Sequence, residues 1–251
     1  MSLFSNLKTD GLEDSKDVSA SLYGPVESAI YMGTVKVAYA GQSTGGAASV
    51  TLLLDLDGKE YRETIYITNR KGENFFLKDG KKIPLPGFTV IDDLCLVGSG
   101  APLCDQETED KMVKVWDNDA KKELPKSVPV LTALTGQTVS VGIIKSQENK
   151  KEKVGDSYVP TTEVRMVNNI DKVFDTESKM TVSEGRNNAK EAVYWGNWEK
   201  SHTGVTRDKR TVKDGEAPQT NRPAQRNVSA PTAAPVAGAS QAPRKSLFGP
   251  K

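Results

Sequence analysis

The sequence predicts a mainly β body, interrupted by one helix and followed by a disordered C-terminal tail. Three observations predict it. Apolar and polar residues alternate over much of residues 23–182, the period of a half-buried strand. One stretch, 87–97, instead repeats its apolar residues at helical spacing. Residues 215–251 are rich in Pro, Ala, Gln, Asn and Ser, with no aromatic before Phe248. Such a segment buries too little apolar surface to offset its ordering entropy.

The elements follow in chain order. Residues 1–22 read as a polar arm with weak periodicity. Residues 29–39 (AIYMGTVKVAY) place Tyr31, Val35, Val37 and Tyr39 on one strand face, with Met32 and Lys36 on the other. A glycine-bearing loop leads to residues 49–57 (SVTLLLDLD), where Val50, Leu52, Leu54 and Leu56 share a face. Asp57-Gly58 is a hairpin signal. In the return strand, 59–68, Tyr61, Ile65 and Ile67 oppose Arg62, Thr64, Tyr66 and Thr68. A short aromatic strand, Asn74–Lys78, ends at the Asp79-Gly80 turn. In the helix, Phe88, Ile91, Leu94 and Cys95 form the apolar stripe, between Pro84-Leu85-Pro86 and Gly98-Ser99-Gly100. Strands resume at 112–116, 128–134, 138–144 and 163–167, the last reaching toward Phe174. A charged loop, QENKKEKVGDSY, separates the final two.

Three strands, a helix, then more strands is the order of the OB-fold, a five-stranded Greek-key barrel with one inserted helix. An open sandwich and an SH3-like barrel are the alternatives. The organisation is then an N-terminal arm (1–22), the OB-fold domain (23–182), a linker (183–214) and a basic tail (215–251). The linker carries Tyr194, Trp195 and Trp198. These read either as a short helix packing back on the body or as an added stacking or subunit contact.

Composition excludes several chemistries. Two cysteines and one histidine fall short of the about four N/S ligands of a structural zinc site. A Ser-His-Asp or Cys-His device would need His202, which lies in a hydrophilic stretch. The chain has neither a phosphate-binding P-loop nor a G-x-G-x-x-G fingerprint. Gly41, Gly45 and Gly46 sit between strands and read as a flexible connector. Asp92-Asp93 reads as solvated helix charge, and Glu107, Glu109 and Asp110 as a polar connector. Without a visible secretion signal, Cys95 and Cys104 are not expected to pair; Cys95 falls on the helix's apolar face. No run of 18 apolar residues exists, so no membrane-spanning helix is expected. The expectation is a protein that is not an enzyme and uses no metal and no cofactor.

Charge and aromatic placement point to binding. The formal net charge of +1 hides a split: residues 201–251 carry nine Lys/Arg and three Asp/Glu, a net of +6, leaving −5 on the rest. Any nucleic-acid surface on the body must therefore be a local patch. Residues 59–82 supply one, with Lys59, Arg62, Arg70, Lys71, Lys78, Lys81 and Lys82 interleaved with Tyr61, Tyr66, Phe75 and Phe76, against four acids. A cationic groove with aromatic platforms is how single-stranded nucleic acid is held. Arg62 and Tyr66 share a strand face, Lys36 lies on the polar face of the first strand, and Lys114 and Trp116 share a face of a later one. The predicted nucleic-acid-binding set is Lys36, Arg62, Tyr66, Arg70, Lys71, Phe75, Phe76, Lys78, Lys81, Lys82, Lys114 and Trp116. Taken singly, Phe75, Phe76 and Trp116 each read first as core, since core aromatics are common.

The block VTLLLDLDGKEYRETIYIT, the following NRKGENFFLKDGKKIPLPGF and the ending RKSLFGPK resemble the single-stranded-DNA-binding proteins of N4-like bacteriophages. The resemblance covers residues 25–175 as a pattern, and the tail in kind. It implies an OB-fold that coats exposed strands during DNA replication, recombination and repair, in the host cell cytoplasm. It also implies a tail that recruits a replication, recombination or transcription protein, such as a polymerase. Many such proteins end in an acidic segment. Here the apolar tip Leu247-Phe248 is flanked by Arg244, Lys245 and Lys251, which suits an acidic partner groove or further DNA contacts. The rival readings are a structural or assembly protein of a virion and a nuclease using an imported metal. The sequence sets no oligomeric state.

Overall fold

A computed structural model of the protein describes residues 24–117, 120–155 and 157–212. The N-terminal arm and the tail with its tip residues Arg244, Lys245, Leu247, Phe248 and Lys251 lie outside the described residues.

The first three strands form a meander: β1 (Ala29–Gln42), β2 (Ala48–Leu56) and β3 (Lys59–Tyr66). The Asp57-Gly58 turn has positive φ at both residues, 53° and 82°, the geometry that two-residue hairpins favour. Asp55 Oδ1 accepts the Gly58 N–H at 2.7 Å, which fixes the turn. Val50, Leu52, Leu54 and Leu56 are all buried on one face of β2. In β3, Tyr61 and Ile65 are buried while Arg62, Thr64 and Tyr66 point outward.

One expected face of β1 is split. The β1–β2 register slips between Val35 and Val37, so the extra residue of a β-bulge re-aims the strand. Val35 and Ala38 enter the main core, whereas Val37 and Tyr39 turn to the opposite side and join a second cluster.

A short separate sheet follows, β4 (Phe75–Lys78) and β5 (Lys81–Pro84). The predicted helix is α1 (Pro86–Ser99), with proline at its start and Gly100 in the left-handed conformation at its end. Ile91, Leu94 and Cys95 are fully buried against the sheet. Gly87 is obligatory: a Cβ there would lie 2.2 Å from the Tyr66 carbonyl oxygen. Burial pushes the Cys95 thiol up to about 12. Cys95 and Cys104 are both free. The expectation for Asp92-Asp93 is corrected. Asp92 is buried and accepts the Leu103 N–H at 2.9 Å, and burial pushes the Asp93 carboxyl up to about 6.

The rest of the chain is β6 (Thr108–Asp117), β7 (Lys122–Leu131), β8 (Thr138–Val154) and β9 (Ser157–Phe174), then α2 (Val182–Arg186), α3 (Val193–His202) and β10 (Thr206–Asp208). The expected strand at 128–134 stops at Leu131, and Thr132–Leu134 form a 3₁₀ turn. The expected charged loop at 147–158 is instead the far end of the long β8–β9 hairpin. Glu148 pairs with Arg165 in its register, and their side chains meet at 3.5 Å. The segment expected to be a linker packs on the body as far as it is described. Trp198 is buried, its Nε1–H donates to Asp171 Oδ2 at 2.9 Å, and β10 adds to β8 in parallel.

The architecture is mainly β. Strands β3-β2-β1-β8-β9 run side by side, antiparallel throughout, with β10 alongside β8 and the β6–β7 hairpin joined to β1 at Tyr39–Val130. Among the described residues the sheet has eight strands and is not closed into a barrel, against the expected five-stranded closed form. No ladder joins β3 to β9. A single carboxylate spans the seam: Glu63 Oε2 accepts the Ile170 N–H at 2.8 Å and the Tyr61 hydroxyl at 2.7 Å, and Oε1 accepts Asn169 Nδ2 at 3.2 Å. Burial raises the Glu63 carboxyl above its ordinary range even against those three donors. Between the two edges and the start of α1 lies a cavity of about 570 Å³, lined by Glu63, Tyr66, Gly87, Asp93 and Lys172 among others. Among the described residues, no helix is long and apolar enough to cross a membrane.

Candidate nucleic-acid interface

The outer face of the meander and the β6–β7 hairpin carry Lys36, Arg62, Tyr66, Lys114 and Trp116; the other predicted residues lie after β3 and on the β4–β5 hairpin. Val113 and Val115 of β6, with Val128 and Val130 of β7, pack onto Val37 and Tyr39 of β1. Period two then forces the alternate residues of β6 outward. Met112 is 67% exposed and Trp116 53% exposed, with Lys114 between them. Trp116 is registered opposite Glu123 on β7, so both stand on the same side of the hairpin. Glu123 Oε1 in turn receives Arg62 Nη1 at 2.6 Å. Arg62 of β3 and the Trp116–Lys114 face of β6 are therefore brought together through one acid.

The cations divide into neutralised and free. Lys36 Nζ lies 3.0 Å from Asp55 Oδ2, and this contact with the Gly58 N–H holds the Asp55 carboxyl below its ordinary range. Arg62 is bound by Glu123 and lies 3.8 Å from Glu60. Arg70, Lys71, Lys78, Lys81, Lys82 and Lys114 form no ion pair with another described residue. Arg70 lies across the β1–β2 loop, against Gly45 and Gly46, and Asn69 Oδ1 accepts the Lys71 N–H at 2.8 Å.

The aromatic residues divide too. Tyr66, on the Arg62 face of β3, is 53% exposed. Phe76 is 44% exposed on the β4–β5 hairpin, and Phe75 is half-buried with Lys82 Nζ 4.4 Å above its ring. Phe76 and Trp116 thus depart from the core placement that each suggests alone. Pro84, at the base of that hairpin, lines the same cavity as Tyr66. The structure brings Arg62, Lys114 and Trp116 together, and divides the β4–β5 hairpin between two faces, Phe75 with Lys82 on one and Phe76 with Lys78 and Lys81 on the other. Lys36 stays tied to Asp55.

Sequence reasoning missed two acids that shape this surface. Glu63 had a readable signal, a charge between Tyr61 and Ile65 on the inward face of β3. Glu123 had none, because its contact with Arg62 spans 61 positions. His202 packs on α3: its Nδ1 lies 3.0 Å from the Trp198 carbonyl oxygen and its ring stacks on Trp198. Among the described residues, no three His, Cys, Asp or Glu side chains converge to hold a metal. No protein-family model matches the chain, and no curated protein matches it.

Proposed function

We propose that this protein is a non-enzymatic single-stranded-DNA-binding protein of OB-fold type, in which Glu63 bridges the strands that a closed barrel would pair. It coats exposed strands in the cytoplasm during DNA replication, recombination and repair, and its tail recruits a partner protein. One observation carries the reading. Rings on three strands, Tyr66, Phe76 and Trp116, are exposed, and two of them share a strand face with lysines that no described acid neutralises: Phe76 with Lys78 and Lys81, and Trp116 with Lys114. Bases stack on such rings with little sequence preference, and free lysines beside them take the phosphates.

The test is a mobility-shift titration of the full chain with oligo-dT and with duplex DNA. Single strands are expected to bind more tightly, with an affinity that falls as salt rises, because phosphate contacts release counterions. Trp116→Ala is expected to weaken oligo-dT binding by about 1–3 kcal/mol, the worth of one stacked base. Equal binding to duplex and single strands, or no binding at low salt, sinks the reading. Stoichiometric incorporation into virions without DNA affinity would replace it with the assembly role.

A further inference from the structure

We propose that the free edge of β6 pairs with the same edge of a second copy of this chain, forming a two-fold dimer through one continuous sheet. β6 pairs with β7 on one side, and among the described strands nothing pairs with its other side. It runs for ten residues without proline. Two other edges are interrupted at one point each: the start of α1 presses on the Tyr66 carbonyl at the end of β3, and Glu63 occupies the Ile170 N–H of β9. An open edge of this length is a template for another strand.

The order of charges along β6 selects the occupant. A two-fold axis normal to a sheet makes antiparallel neighbours from identical strands. Residues that face each other then lie on the same side of the sheet, so only positions of equal parity are opposed. Centring the axis on Met112 sets Met112 against the partner's Met112. The same register puts Asp110 opposite the partner's Lys114, Lys114 opposite the partner's Asp110, and Thr108 opposite the partner's Trp116. On the other side Glu109 meets the partner's Val115, and Lys111 meets the partner's Val113. Two opposite-charge pairs form and no like charges within β6 are opposed; Asp117, its last residue, faces the partner's Glu107 just before the strand begins. Slipping by two residues one way opposes Lys111 with the partner's Lys111. Slipping the other way opposes Glu109 with the partner's Asp117. Charges on an edge strand usually repel a copy of it; here they fit one register and reject its neighbours. Neither Asp110 nor Lys114 forms an ion pair with another described residue. The pairing would also continue the Lys114–Trp116 face across both copies.

A single strand pairing is smaller than the about 1,600 Å² of a standard stable interface, so the dimer is expected to dissociate on dilution into the low micromolar range. The experiment is sedimentation of the full chain across a concentration series, without DNA, which keeps it separate from the proposed function. The wild-type chain is expected to shift from monomer to dimer as concentration rises. Asp110→Lys, which opposes lysines twice, should raise the dissociation constant about tenfold. The double variant D110K/K114D reverses both charges and should return to within about twofold of the wild type. All three should show the same thermal midpoint. A wild-type chain that stays monomeric up to its solubility limit, an Asp110→Lys variant that dimerises equally well, or a double variant that fails to recover would each overturn the proposal.

Discussion

The wall of the molecule formed by β1, β2, β3, β8 and α1, and the β6–β7 hairpin laid over it, are built from the same alternating pattern but hold their residues differently. In the wall, Val35, Leu52, Leu54, Ile91, Leu94, Val139, Val141 and Ile143 are wholly buried in one contiguous cluster. In the hairpin, Val128 and Val130 of β7 are buried but Val113 and Val115 of β6 are only partly so, and the outward residues include Met112 and Trp116. The wall spends its apolar residues on folding. The hairpin keeps half of its own for the surface, and that is where the proposed binding chemistry sits. The difference teaches that period two alone locates a strand but not its task; the task follows from what the second face meets.

The largest expected effect tests the contrast at its core. Leu52→Ala removes a fully buried side chain and should lower the unfolding free energy by about 2–5 kcal/mol, read from denaturant midpoints. Met112→Ala in the hairpin should change it by less than about 0.5 kcal/mol. Comparable losses at both positions would mean that the hairpin belongs to the folding core.

A smaller effect comes from a titrating group at the seam. Asp93 is ionised at neutral pH but burial pushes its carboxyl up to about 6. A folded-state value above the unfolded one means that the stability is full below about pH 4 and is lost as pH rises through about 6. Lys172 and Arg186 oppose the shift and Asp92 adds to it. Asp93→Asn removes the cost. At pH 8 the variant should be more stable than the wild type by about 2 kcal/mol, and at pH 4 the two should unfold together. A constant difference across that range would place the effect in packing instead of ionisation.

Much of the wall was legible in the sequence because the core faces of β2 and β3 repeat their apolar residues at period two. Val50, Leu52, Leu54 and Leu56 announce β2, and Pro86 and Gly100 bracket α1. Where both faces are exposed the alternation disappears, which is why the far half of the β8–β9 hairpin reads as a charged loop. Its ladder is supported by cross-strand pairs such as Glu148 with Arg165 and Lys150 with Glu163, and register is needed to see them. The bulge at Val35–Val37 is equally hidden: two valines and a lysine look alike on either side of a slip. The docking of α3 through Trp198 and Asp171 joins residues 27 apart, with Tyr194, Trp195 and Trp198 as its one local trace. Of the candidate site, the shared face of Arg62 and Tyr66 and that of Lys114 and Trp116 were readable. The neutralisation of Arg62 by Glu123 and of Lys36 by Asp55 was not, since each partner comes from another strand.

That neutralisation yields the smallest and most discriminating prediction. Glu123→Gln leaves the shape of the side chain but removes its charge, which leaves Arg62 only its 3.8 Å contact with Glu60 and deletes one negative charge beside Trp116. An exposed ion pair contributes about 0–1 kcal/mol to stability, so the fold should be little affected. If single strands lie along the Arg62–Trp116 face, the variant should bind oligo-dT about threefold more tightly at low salt, with a steeper salt dependence from the added phosphate contact. The gain should shrink as salt rises. If the β4–β5 hairpin alone holds the strand, Glu123→Gln should leave affinity and salt slope unchanged, while Lys81→Ala and Lys82→Ala weaken both. The pair of measurements therefore separates a trough shared by wall and hairpin from an isolated basic arm.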